Sequence, residues 1–208
     1  CADLDRECAF LSDHLGAQFQ YGGSHPGQGT HNALLPITPG VYLEVLAPDP
    51  AQTCETQLRR DLAQLSSGGL IHWAIRCDSI ERTRQLAKDT GLAVSDIADG
   101  RRDPADGGTL RWRLFGLTGH ELGGAAPFFI EWLGQSRPFA DERDVDSDIE
   151  FMIATPGADH LRPLLAEMRT THTSLQSSEA PSLTLRLNRG SGPRTLTSPE
   201  PFSAGIKF

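Results

Sequence analysis

What this sequence lacks narrows it first. No apolar run approaches the ~20 residues that a membrane-spanning helix needs. No cluster of lysines and arginines offers a footprint for nucleic acid, and the formal net charge is −8. The four cysteines, Cys1, Cys8, Cys54 and Cys77, contain no Cys-x-x-Cys pair, so neither a zinc knuckle nor a dithiol redox motif is indicated. The opening residues CADLDREC are polar and acidic, so no secretory leader is expected. Scattered cysteines of this kind read as reduced thiols, which points to a cytoplasmic protein. No segment is repetitive enough to be a long disordered linker.

What is present is an ordinary globular composition, 38% apolar and 22% charged over 208 residues. That length suits one large domain or two small ones. The 21 glycines and 14 prolines call for many short elements joined by turns.

Residues 3–15, DLDRECAFLSDHL, read as a helix: Leu4, Cys8, Leu11 and Leu15 recur at helical spacing between a capping Asp3 and a terminating Gly16. AQFQY is a short strand, GGSHPGQG a glycine-rich loop, and THNALLPI and VYLEVLAP form a hairpin around Thr38-Pro39-Gly40. A linking helix follows over 53–65. LIHWAIRC (70–77) is then an apolar strand, DSIERTRQLAKDT a helix between Asp78 and Gly91, LAVSDI a short strand, and GRRDPADGG a loop. LRWRLFGL and PFFIEWLG are two further strands, with His120 and Glu121 in an exposed loop between them.

Thirteen residues separate aspartate from glycine in both helical stretches, at an offset of 75. The chain therefore reads as a repeat of a βαβββ unit, the first copy short of its opening strand. Residues 134–148 are a polar link. A third unit starts with IEFMIAT (149–155), continues with a helix over 157–168 and a loop from Arg169 to Pro181, and closes with SLTLRLNR and PRTLTS as a hairpin. The tail PEPFSAGIKF reads as a loose extension.

Three ligand-capable residues sit inside apolar strands: Glu44 in YLEVLA, His72 in LIHWAIR and Glu131 in FFIEWLG. Strand alternation gives each an apolar opposite face suited to packing under a helix. If the two units pair their sheets, the faces bearing these residues line a shared cavity. Imidazole with carboxylates is a donor set for Zn²⁺, Mn²⁺, Ni²⁺ or Fe²⁺. Taken singly, each residue has a plainer reading, as a hydrogen-bonded core histidine or a salt-bridged strand glutamate. Arg111 and Arg113 are placed to take a substrate carboxylate or phosphate, or else to face solvent. His25, His31 and Asn32 near the glycine-rich loop could hydrogen-bond a substrate oxygen. Tyr42, Phe129 and Trp132 make the neighbourhood aromatic. His160 and His172, in the third unit, carry no expected role.

The stretch GGSHPGQGTHNALLPITPGVYLEVLAPDP, followed by IHWAIRC, LRWRLFG and PFFIEWLG, resembles the glyoxalase-like domain of the vicinal oxygen chelate superfamily, over roughly residues 3 to 200. The resemblance implies an α+β fold of paired βαβββ modules in a half-open, cupped sheet over residues 1–133 (1–52 and 70–133, with linking helix 53–65), and a third partial module over 149–200. It also implies a divalent metal held by a first-strand His and a last-strand Glu of each module. On this chain those positions are His72 and Glu131 in the second module and Glu44 in the first, whose histidine has no counterpart. His31 and His14 do not substitute by position.

The expected function is a metal-dependent lyase, isomerase or dioxygenase acting on a small oxygenated molecule, with Glu44 or Glu131 as general base. The alternative is a non-catalytic protein that sequesters a small ligand in the same fold. A homodimer is expected through the unpaired sheet edge.

Overall fold

The computed structural model describes residues 1–65, 67–104, 108–119, 122–134, 138–139, 148–189 and 192–199. The first unit consists of α1 (Leu4–Leu15), β1 (Gln20–His25), β2 (Thr30–Thr38) and β3 (Val41–Pro48). Its strands form an antiparallel sheet in the order β1-β2-β3. α1 starts where the Asp3 carboxylate accepts the Arg6 N–H at 2.9 Å and stops where Gly16 turns to φ +64°. Leu4, Leu11 and Leu15 follow the helical period and pack on Ala33, Leu35, Ile37, Val45 and Ala47 of the sheet.

α2 (Gln57–Ala63) links the units. It is shorter than the 53–65 expected because Thr56 caps it, its hydroxyl accepting the Arg59 N–H at 3.2 Å. Arg59 reaches back to the carbonyls of Gly29 (2.9 Å) and Asp49 (2.6 Å), tying the helix to the β1–β2 turn.

The second unit contains β4 (Ala74–Arg76), α3 (Ile80–Asp89), β5 (Ala93–Val94), β6 (Ala98–Arg102), β7 (Leu110–Thr118) and β8 (Phe128–Leu133). The strand order is β4-β8-β7-β5, with β6 also paired to β7 and β4 parallel to β8. The repeat expected from sequence is therefore visible as two helix-backed sheets.

Local differences are instructive. LIHWAIRC contributes only three paired residues. Ser79, not Asp78, caps α3, its hydroxyl accepting the Arg82 N–H at 3.4 Å. The glycine-rich GGSH is strand, not loop. The first three residues of the supposed loop GRRDPADGG likewise belong to β6, because pairing from Ala98↔Leu114 to Arg102↔Leu110 satisfies their backbone.

The third unit holds β9 (Asp148–Thr155), α4 (Ala158–Glu167), β10 (Thr173–Ser177), β11 (Ser182–Arg189) and β12 (Gly192–Thr197), in the order β10-β9-β11-β12. β10 falls in the stretch read as loop, and runs parallel to β9. Its first strand lies inside the sheet, whereas β4 lies at the edge of its own.

This third unit packs on the helix-bearing side of both sheets. Ile153, Leu161, Leu164 and Leu183 join Ile80, Phe115 and Phe129 in one core, and Ile149, Leu185 and Leu187 join Leu15, Leu35 and Ile37 in another. At the other margin β1 meets β6, where Ser24 bridges to Asp103 with an N–H···O contact of 3.4 Å. The faces turned away from α1 and α3 are thereby brought together.

All four cysteines are free. Among the described residues no helix is long and apolar enough to cross a membrane. His120, Glu121, most of the polar link and the end of the tail lie outside the described residues.

Candidate functional site

In β3, Val45 and Ala47 pack toward α1, so alternation turns Tyr42 and Glu44 to the opposite face. Asn32 of β2 shares that face with Glu44. Its side-chain amide is buried and fully used: Nδ2 donates to Glu44 Oε1 at 2.7 Å and contacts His25 Nε2 at 3.4 Å, while Oδ1 accepts from Arg102 at 2.9 Å. Arg102 belongs to β6 of the other sheet and is 4% exposed. One amide thus links the two modules through a carboxylate, an imidazole and a guanidinium.

Backbone chemistry explains why this fits. Any Cβ at Gly22 would collide with Asn32 Oδ1 and the Arg102 guanidinium, so the strand can pass them only as glycine.

His25 is neutral in this arrangement. Asn32 offers Nε2 a hydrogen, which leaves Nδ1 to carry the proton and donate to Thr30 Oγ1 at 2.9 Å. Burial is the largest influence holding its pKa below the ordinary histidine value, opposed by the charge of Glu44 and reinforced by Arg102. Tyr42 is pushed up, first by burial and then by Glu44, so its hydroxyl keeps its proton.

The second sheet supplies an aromatic wall. Trp112 meets His25 edge-on at 5.9 Å and Trp132 at 5.2 Å, with Leu110, Ile130, Leu114 and Phe128 beside them. Glu44 itself is exposed, and its second oxygen accepts no hydrogen bond from the described residues.

The expected metal ligands do not converge. Glu131 stands on the α3 side of β8 with Phe129, paired to Arg113, which donates from Nε at 3.0 Å. The same guanidinium binds Glu81 of α3, whose carboxyl it holds below the usual range. His72 lies on the other face of that sheet, its ring 5.2 Å from Phe128, and burial pulls it down to about 4. Glu44 is on the first sheet. Among the described residues no group of three or more His, Cys, Asp or Glu side chains is placed to hold a metal ion. The donor set therefore does not fit the divalent metal that the resemblance implies. The physical reason is the phase of alternation: Phe129 is a core residue, stacked at 4.7 Å on Phe115, so Glu131 two positions on shares its face.

Of the expected substrate-binding residues, Asn32 is in the cluster. His31 points the other way, edge-on to Tyr21 at 6.1 Å. Phe129 is fully buried and out of reach. Arg113 is taken up by its two glutamates. Arg111 is exposed beside a groove. Arg102 and Trp112 went unrecognised in sequence. Arg102 lay in a presumed loop, and only the pairing of β6 with β7 reveals its direction.

Two helix-backed α+β modules, joined edge to edge with a polar cluster on their shared face, define a vicinal oxygen chelate type of protein. The family profile for the glyoxalase-like domain matches residues 1–174, and the chain belongs to that family. Among solved structures, a hypothetical protein from Staphylococcus aureus is similar at 14% identity, covering 78% of each chain with a TM-score of 0.55. Streptomyces coelicolor methylmalonyl-CoA epimerase, in complex with 2-nitronate-propionyl-CoA, is similar at 20% identity over 64% of this chain and 92% of that one, with a TM-score of 0.47. No curated protein matches in sequence.

Proposed function

We propose that this protein is an enzyme that moves a proton at a carbon next to a carbonyl in a small oxygenated substrate, an isomerase- or lyase-type reaction. Glu44 is the base. The observation that carries this reading is a carboxylate fixed through one oxygen by Asn32 and open at the other, on the face where the two modules meet. A base must be positioned before its basicity matters, and the Asn32 amide supplies that position.

Removing the proton leaves negative charge on the substrate oxygen. The buried Arg102 guanidinium is the fixed positive charge of the cluster, and the protonated Tyr42 hydroxyl is a donor on the same face. Trp112 and Trp132 wall the site on one side with apolar surface. No step is routed through a metal, because the donors the family pattern would use lie on different faces.

The same wall of aromatic side chains also favours a second reading, a protein that holds an aromatic or apolar ligand without turning it over. Deuterium wash-in at carbon, followed by proton NMR over a panel of 1,2-dicarbonyl, 2-oxo acid and 3-oxo acid compounds, separates the two. Exchange by the wild-type protein that Glu44→Gln lowers by about 10²-fold or more supports the enzyme. Line broadening of a compound without exchange favours ligand holding.

A further inference from the structure

β10 is one edge of the third sheet, with β9 as its only strand neighbour among the described residues. The Phe151 N–H donates to the His172 carbonyl at 2.7 Å, and the Ser178 N–H to the Thr155 carbonyl at 3.3 Å. Backbone groups alternate in direction along a strand, so His172, Ser174 and Gln176 bond toward β9. The N–H and C=O groups of Thr173, Leu175 and Ser177 therefore point outward. The opposite edge, β12, is covered: the Leu70 N–H donates to its Thr197 carbonyl at 3.0 Å. The sequence of β10, TSLQS, includes no charged side chain or proline of the kind that blunts an open edge.

A groove of about 330 Å³ runs between this edge and α4. Thr173 and Leu175, two residues apart on β10, turn their side chains into it. Arg162 and Ala166 are one turn apart on α4, and Arg169 follows just past its end. The small Ala166 leaves room between the two guanidinium groups. In a chain with 27 acidic and 19 Lys or Arg side chains, the described lining of this groove holds two arginines and no carboxylate. Both arginines are available. Arg162 meets Asp159 of its own helix at 3.7 Å, with both side chains exposed, a contact of little strength. The exposed Arg169 side chain has no hydrogen bond or ion pair among the described residues. Its backbone sits at φ +51°, a left-handed helix end that favours glycine.

We infer that the β10 edge and this groove bind an acidic segment of a partner protein in extended form. The segment adds as a further strand against Thr173, Leu175 and Ser177. Its carboxylates meet Arg162 and Arg169, and an apolar side chain lies on Leu165 and Leu175. This surface belongs to the third unit and does not depend on the reading of Glu44.

The test is an NMR titration of ¹⁵N-labelled protein with a capped peptide in which serine alternates with valine, glutamate and glutamate, so that the acidic and apolar side chains share one face. Saturable shifts at Thr173 and Leu175 are expected. Hydrogen exchange at the Thr173, Leu175 and Ser177 amides, fast in the free protein, slows on saturation, which a contact through charge alone does not produce. The same peptide with glutamine for glutamate binds about tenfold more weakly, and added salt weakens the parent peptide. Methylating the peptide's backbone nitrogens abolishes binding. Arg162→Gln and Arg169→Gly each weaken it about tenfold. Arg169→Gly unfolds at no lower temperature than the parent, so its loss of binding is not a loss of fold. No saturation, no protection of those amides, or equal binding of the glutamine peptide overturns the inference. So does displacement by glutarate at the concentrations at which the peptide binds, which identifies a site for small anions only.

Discussion

Replacing Asn32 by alanine removes the amide that joins the two modules. Three contacts vanish together: the acceptor for Arg102 at 2.9 Å, the donor to Glu44 at 2.7 Å and the contact with His25 Nε2. Glu44 is exposed, and water replaces its lost donor. Arg102, at 4% exposure, has little water to replace its lost acceptor. A buried hydrogen bond to a charged group is worth about 1.5–3 kcal/mol, and the donor to Glu44 is lost with it, so Asn32→Ala is expected to cost about 3 kcal/mol. In a chain of this size that is a fall in Tm of about 6–12 °C. Urea and thermal unfolding followed by circular dichroism measure it. Asn32→Asp sharpens the test. It keeps an acceptor for Arg102 but sets a second carboxylate against Glu44, so it should be nearly neutral at low pH and destabilising above the carboxylate range. A loss below about 1 kcal/mol for Asn32→Ala, or no pH dependence for Asn32→Asp, would refute the claim that this amide is a buried charged link.

Other expectations follow from single features. His72, near 6.5 when unfolded and about 4 in the fold, binds fewer protons native than unfolded between those values, so stability is full above about pH 6.5 and falls toward pH 4, by up to about 3 kcal/mol. His25, also lowered, adds a loss of the same sign. Unfolding across that range should show the decline, and His72→Asn should flatten much of it. Gly100→Ala forces the Trp112 indole to move and should change the tryptophan fluorescence while costing about 1–3 kcal/mol. Phe129→Ala, which empties a fully buried position stacked on Phe115, should cost about 3–5 kcal/mol, as expected of core rather than a binding surface.

The fold was legible where local chemistry decides structure. α1 stands where its leucine spacing, Asp3 and Gly16 place it, and the hairpin of β2 and β3 turns at Pro39-Gly40. The repeat of aspartate and glycine at an offset of 75 marks the two helices that back the two sheets. β6 and β10 were hidden because their residues, ADGRR and TSLQS, carry little strand preference, and pairing with β7 and β9 supplies what composition does not. Glu44 stood out in the sequence as a carboxylate inside an apolar strand, and Asn32 as a polar residue beside the glycine-rich loop; their hydrogen bond came from the strand pairing. The assignment of Glu131 failed on a finer point. Alternation correctly grouped it with Phe129, but it could not say which face of β8 meets α3, and the aromatic core claims that face. Arg102 and Trp112 depend on contact between two separate sheets, which no local pattern encodes.

The placement of the site is tested most directly by comparing Glu44→Gln with Glu131→Gln in one assay, deuterium exchange into a compound that the wild-type protein turns over. The expected result is loss of about 10²-fold or more in Glu44→Gln and a near wild-type rate in Glu131→Gln once its weaker ion pairing to Arg113 is allowed for by measuring at low temperature. Equal loss in both, or loss confined to Glu131→Gln, would contradict it and return the reaction to the α3 side of β8.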